Sequence, residues 1–208
     1  MTRYPRFQPM ISAAVQKPAI WRIVAGVVTA VLLLLVWLGA TALALSFTEG
    51  TSFSRAFRAV VEGDPSSPEG ALKTLLIVAG LGFSTFLAAR FWQDRSVGSL
   101  IGPGVRTLRH FVVAAAITFL IAALSFLIPS PVGAEIERNM EVAVWLWWLP
   151  FTVFALVAQT GAEEVFFRGY LQSQVAARFR NPLIWMIVPA LLFGAAHYSP
   201  ALPPMSGL

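Results

Sequence analysis

The sequence predicts an all-α fold, a polytopic transmembrane helical bundle with about five spanning helices. Of its 208 residues, 57% are hydrophobic and only 12% charged, and the mean hydropathy is +0.73. Soluble domains carry about 25% charged residues, so the chain holds roughly half the charge that a solvated globular surface needs. Five apolar runs follow one another, most of them near the about 20 residues required to cross the hydrocarbon core. No stretch alternates with the period of two that marks a barrel strand, and no repeat of roughly 20–50 residues recurs.

Each element has its own signal. Residues 1–22 form a basic segment with Arg3, Arg6, Lys17 and Arg22, and residues 23–208 form the transmembrane domain. The first span lies near 23–47 and contains no charge. Ala42-Leu43-Ala44 resembles a signal-peptidase site. The apolar run, however, far exceeds the about 7–15 residues of a signal core, so a retained signal-anchor helix is expected. Glu62 to Gly70, with Pro65, Ser66, Ser67 and Pro68, reads as a solvated loop. The second span lies near 71–92, with Lys73 at its start and Arg90 at its end. The third lies near 111–128 and stops at Pro129 and Pro131.

The fourth span, near 142–177, turns polar after Ala158. Trp145, Trp147 and Trp148 at its start read as an interfacial aromatic belt, with a substrate-stacking platform as the alternative. The fifth lies near 182–198: Asn181 suits the N-cap and Pro182 the first helical position. Pro189 should kink this helix and free a backbone carbonyl.

Charge placement sets the orientation. Eleven Lys/Arg lie in the N-terminal segment, around Arg90–Arg109 and between Arg168 and Arg180, against Arg55, Arg58, Lys73 and Arg138 on the other side. This asymmetry puts the N-terminus in the cytoplasm and Leu208 on the far side of a cell membrane. The net charge of +5 is then spent on orientation and anionic headgroups, and nucleic acid is not an expected partner. The absence of cysteine excludes disulfides, thiol catalysis and cysteine metal sites.

Against this oily background the exceptions are informative. Gln159, Glu163, Glu164 and Arg168 interrupt a stretch flanked by Phe151-Thr152-Val153-Phe154 and Phe166-Phe167. Ionisable groups at membrane depth cost several kcal/mol and so face a bundle interior or a wet cavity. Glu164 and Arg168 are four apart and can pair on one helical face. Glu163 points about 100° away, and burial together with the adjacent charge should raise its pKa, fitting it to accept a proton from water. The second element is Phe193-Gly194-Ala195-Ala196-His197, whose small residues permit close backbone approach. In an antiparallel hairpin about the turn at residues 178–182, Glu163 and His197 fall at nearly equal depth, roughly 20–25 Å from the turn. A glutamate and a histidine converging there could hold and deprotonate one water. The bland reading is a buried ion pair plus a packing histidine.

Glu163-Glu164-x-x-x-Arg168 followed by Phe193-x-x-x-His197 resembles the CAAX-processing protease and bacteriocin-immunity (CPBP, or Abi) family of intramembrane endopeptidases. Arg95, Gly98 and Ile101-Gly102 add to the likeness, which covers a core of about residues 75–200. The resemblance implies hydrolysis of a peptide bond in a membrane-associated protein or peptide. Glu163 and His197 would engage the attacking water, with Glu164, Arg168 and Phe193 in support. Some members of the family are metal-dependent. Glu163, Glu164 and His197 are the candidate ligands here, with none to spare for the three protein ligands plus water that zinc takes, so a divalent metal such as zinc is possible but not favoured. His110 sits near a loop, away from them.

The family pattern also continues into further helices with a later His/Asn motif suited to oxyanion stabilisation. This chain ends at Leu208, and Pro200, Pro203 and Pro204 oppose a long continuing helix. One missing oxyanion donor costs about 10²–10³ in rate. The expectation is a truncated chain that is inactive or completed by another component. The rival class is a non-catalytic membrane protein, serving bacteriocin immunity, scaffolding or a proton-coupled transporter.

Overall fold

A computed structural model describes residues 7–63, 66–125, 127 and 140–198, and every regular element among them is helical. In chain order these are α1 (Gln8–Ile11), a 3-10 turn (Ala14–Gln16), α2 (Ile20–Thr48), α3 (Phe53–Glu62), α4 (Pro68–Gln93), α5 (Val97–Ile101) and α6 (Gly104–Ser125). There follow α7 (Val142–Glu164), a π-helical segment (Val165–Gln172), α8 (Ser173–Arg178) and α9 (Pro182–Ala196). The expectations that rest on Pro65, Pro129, Pro131, Arg138, Pro200, Pro203, Pro204 and Leu208 lie outside the described residues.

The chain is an all-helical membrane bundle. Four helical stretches among the described residues are long and apolar enough to cross a bilayer: Ile20–Thr48, Pro68–Gln93, Val97–Ser125 and Val142–Arg178. The fifth apolar run is helical but only 15 residues long, about 22 Å, against a hydrocarbon core of about 30 Å. Asn181 caps it as its sequence suggests, its side chain accepting from Leu183 N at 3.0 Å, with Pro182 at the start and Pro189 inside.

The centre of the bundle is α4. Its buried positions include Gly80, Leu81, Gly82, Ser84, Thr85, Ala88 and Ala89. Small residues allow close backbone approach, which in lipid replaces hydrophobic drive as the cause of helix association. The two hydroxyls are satisfied within the helix, Ser84 Oγ donating to Gly80 O at 3.0 Å and Thr85 Oγ1 to Leu81 O at 2.7 Å. On one flank α2 is tied to α4 by Trp37 Nε1 donating to Ile77 O at 3.0 Å and Trp92 Nε1 to Thr29 Oγ1 at 2.9 Å. On the other flank α4 packs against α7. There a Cβ at Gly82 would stand 3.1 Å from the Ala162 Cβ, so the two backbones cross one residue before Glu163.

Below α4 the chain forms a polar joint. Asp94 caps the helix in the left-handed region at φ 55° and pairs with Lys17 and, at 3.5 Å, with Arg90. The hydrogen bond from Lys17, then its charge, hold the Asp94 carboxyl below its ordinary range. Arg95 is buried and donates to Ser99 Oγ at 3.2 Å, Ser99 O and Ser173 Oγ at 2.6 Å each, and Met10 O at 3.5 Å. Burial pushes its guanidinium down to about 10, with the charge interaction of Tyr170 opposing. One side chain therefore joins the N-terminal segment, the α4–α5 link and α8.

The N-terminal segment itself packs against α8, with Ile11 and Ala14 buried and Phe7 stacked on Trp185 at 5.1 Å. The arm from Ser173 to Ala176 is accordingly buried. The stretch after α2, which carries no spanning signal, holds the ten-residue helix α3.

Candidate functional site

Two structural devices position the polar residues. The first is the change of ladder at Val165, where α7 gives way to a π-helical segment immediately after Glu164. π turns are rare and recur at functional sites, because the wider i→i+5 ring re-aims the side chains around it. Here the segment buries Phe166, Phe167, Gly169, Tyr170 and Leu171. Gly169 lies so close to α5 that a Cβ would sit 2.5 Å from Leu100 O, a backbone atom that cannot step aside. The second device is the hairpin itself. Glu163 precedes Arg178 by fifteen residues and His197 follows Pro182 by fifteen, so both stand about 22 Å along their arms from the Phe179–Asn181 turn.

Rotation then brings one pair together. Glu163 Oε1 lies 3.6 Å from His197 Nε2. The Glu163 side chain is only 14% exposed, whereas His197 is 48% exposed at the C-cap of α9. Gln159, one turn earlier, donates its Nε2 to the same Glu163 Oε1 at 2.6 Å. His197 Nδ1 stands 2.9 Å from Phe193 O. A carbonyl only accepts, so Nδ1 carries the hydrogen, which leaves Nε2 facing Glu163 and, when the ring is neutral, offering its lone pair there. The imidazole also lies against Phe193, tilted by 33° with ring centroids 4.2 Å apart, and Phe193 meets Phe167 edge-on at 5.1 Å. Phe193 thus holds the histidine through both its ring and its backbone. Gln159 stood out in the sequence as a polar interruption, and its four-residue spacing from Glu163 on one helix is the signal that foretells this hydrogen bond.

Glu164 and Arg168 form a separate group. Arg168 Nε is 3.9 Å from Glu164 Oε2, and the two side chains are 64% and 61% exposed. At that distance and exposure the pair is worth about 0–1 kcal/mol. The firm i,i+4 pairing expected of an α-helix is loosened here because the π ladder starts between the two residues. Both line a cleft of about 620 Å³ with Gly82, Phe83 and Phe86 of α4, Phe111 of α6 and Ala158 of α7. Glu163 and His197 are not part of its wall.

Among the described residues, no three His, Cys, Asp or Glu side chains converge as a metal site. Glu163 and His197 supply two ligands where a catalytic zinc takes three from protein, and Glu164 turns to the cleft. Among the described residues this donor set falls one ligand short of a zinc site. His110 lies exposed on α6. Trp145 and Trp147 are exposed at the start of α7, and Trp147 and Trp148 both contact Phe151.

Comparison with known proteins bears on this region. Residues 144–207 match the family described as type II CAAX prenyl endopeptidase Rce1-like, a stretch containing Glu163, Glu164, Arg168, Phe193 and His197. The match supports the CPBP resemblance. A curated relative, the uncharacterized protein YyaK of Bacillus subtilis (strain 168), is 28% identical over 119 residues, 55% of this chain. The aligned part spans 39% of that relative's length. No solved structure matches.

Proposed function

We propose that this chain carries the water-activating pair of an intramembrane endopeptidase, acting on a membrane-associated protein or peptide from a cell membrane in which its N-terminus is cytoplasmic. The observation that carries this reading is the 3.6 Å approach of Glu163 Oε1 to His197 Nε2, two hydrogen-bond acceptors from different helices. Two acceptors at that spacing are bridged by a molecule that donates to both, and water is the smallest. One water hydrogen goes to His197 Nε2, which orients the oxygen. The other goes to the Glu163 carboxylate as the oxygen attacks the peptide carbonyl carbon. The carbon–nitrogen bond breaks as the tetrahedral intermediate collapses, and the protonated Glu163 returns its proton to the departing amine. Glu163 is general base and then general acid, His197 the orienting acceptor, and Phe193 their support.

The test compares membranes expressing the native chain with membranes expressing Glu163→Gln or His197→Ala, by mass spectrometry of newly formed protein N-termini. Native chain is expected to produce N-termini that both variants lose, at equal accumulation in the membrane. Identical sets of N-termini would overturn the reading. One observation favours a second, non-catalytic reading: the 620 Å³ cleft is walled by Glu164 and Arg168 rather than by Glu163 and His197. That reading predicts a phenotype sensitive to Arg168→Ala and indifferent to Glu163→Gln.

A further inference from the structure

The helix α3 bears a feature that the site does not use. At about 100° per residue, Phe53, Phe57 and Val61 share an arc of about 80°. Ala56 and Val60 adjoin it on one side, and Ser54, Arg55, Arg58 and Glu62 fill the opposite arc. Ala56 and Val60 are buried against Ala42, with Leu38 and Leu45 of α2 and Ile77 of α4 alongside. The other apolar flank is open: Phe53 is 49%, Phe57 36% and Val61 59% exposed, with the two rings stacked at 5.8 Å. Arg55 and Arg58 are exposed on the polar arc.

Depth says what covers the open flank. Four residues separate α3 from α2 and five separate it from α4, both of which are candidate spans. Ala42 lies six residues inside the end of α2, about 9 Å, and Ile77 nine residues inside the start of α4, about 14 Å. A helix of 29 residues is about 44 Å long and overhangs a 30 Å hydrocarbon core by about 7 Å at each end when centred. By the same arithmetic Ala42 lies about 2 Å inside the core edge and Ile77 of the 26-residue α4 about 9 Å, so α3 packs just beneath the headgroups, in the outermost part of the acyl chains.

We infer that α3 is an interfacial lipid-docking helix, its Phe53–Phe57–Val61 flank inserted among acyl chains while Arg55 and Arg58 meet the phosphates of anionic headgroups. An amphipathic helix lying in the membrane plane buries its apolar face about 5–10 Å, and flanking arginines add attraction to anionic lipid. The docking would pin the outer ends of α2 and α4.

The native chain has no cysteine, so single cysteines report one position each. The full chain is reconstituted in vesicles of phosphatidylethanolamine and phosphatidylglycerol, spin-labelled at 53, 55, 57, 58, 61 or 62, and probed with oxygen and with a water-soluble nickel chelate. The labels at 53, 57 and 61 are expected to meet oxygen and avoid nickel, with the ratio inverted at 55, 58 and 62. Nickel access at 57 and 61 equal to that at 58 would overturn the inference. So would shielding of 53, 57 and 61 from both reagents, which marks a protein partner on that face. The unsubstituted chain gives a second readout independent of any labelled variant: a phospholipid bearing a diazirine in its acyl chain should form adducts on Phe53 and Phe57. Labelling of α6 without adducts in α3 would contradict the inference.

Discussion

At the scale of single residues, the site is a matter of which acceptor faces which. Gln159 and His197 converge on one Glu163 oxygen, from one turn back along α7 and from α9. Gln159→Leu removes a hydrogen bond to a charged group, worth about 1.5–3 kcal/mol, and frees the carboxylate to rotate. The expected result is a cleavage rate lowered with substrate KM little changed, and restored in part by Gln159→Asn only if the shorter amide still reaches. Glu163→Gln removes the base itself and should cost about 10²–10⁴ in rate. Asp94 supplies a pH signature apart from the site. Its folded-state pKa is depressed by Lys17, so its pairing stabilises the protein above the ordinary carboxylate range and is lost as pH falls through the lowered value. Thermal unfolding in detergent should show an acid-sensitive loss of stability that is absent in Asp94→Asn. Arg95→Lys should be destabilising at all pH values, by about 2 kcal/mol, because an ammonium cannot reach Ser99, Ser173 and Met10 together.

At the scale of elements, the legible parts are those with a long one-dimensional signal. The apolar runs at 23–47 and 71–92 become helices over Ile20–Thr48 and Pro68–Gln93, because about 20 uncharged residues have few alternatives in lipid. The cap at Asn181 was equally plain. The π segment was not, since a widened turn leaves no mark in periodicity over eight residues. Nor was α3, a ten-residue helix whose signal is an arc of side chains rather than mean hydropathy. The spacing of 163 and 197 made a meeting possible, but their rotation toward each other comes from packing at Gly82–Ala162 and Phe167–Phe193. The π segment depends on Gly169 lying against Leu100 O. Gly169→Ala should force that contact apart and destabilise by about 1–3 kcal/mol, read as a lowered Tm, whereas Gly161→Ala, where a Cβ meets nothing, should not.

At the scale of the whole molecule, the chain is organised around α4. On one flank lie α2 and α3, and on the other α7, the π segment and α9 carry the polar pair. The basic N-terminal segment closes the polar joint through Lys17–Asp94 and Met10–Arg95. Glu163 and His197 face one another from α7 and the end of α9. In the cysteine-free chain, the pairs Glu163→Cys/His197→Cys and Glu164→Cys/His197→Cys can be treated in membranes with a short bifunctional methanethiosulfonate reagent, cleaved between the helices and run as joined or separate fragments. Efficient joining is expected for 163–197 and little for 164–197; joining of 164–197 in preference to 163–197 would mean that the glutamate facing the histidine is not Glu163.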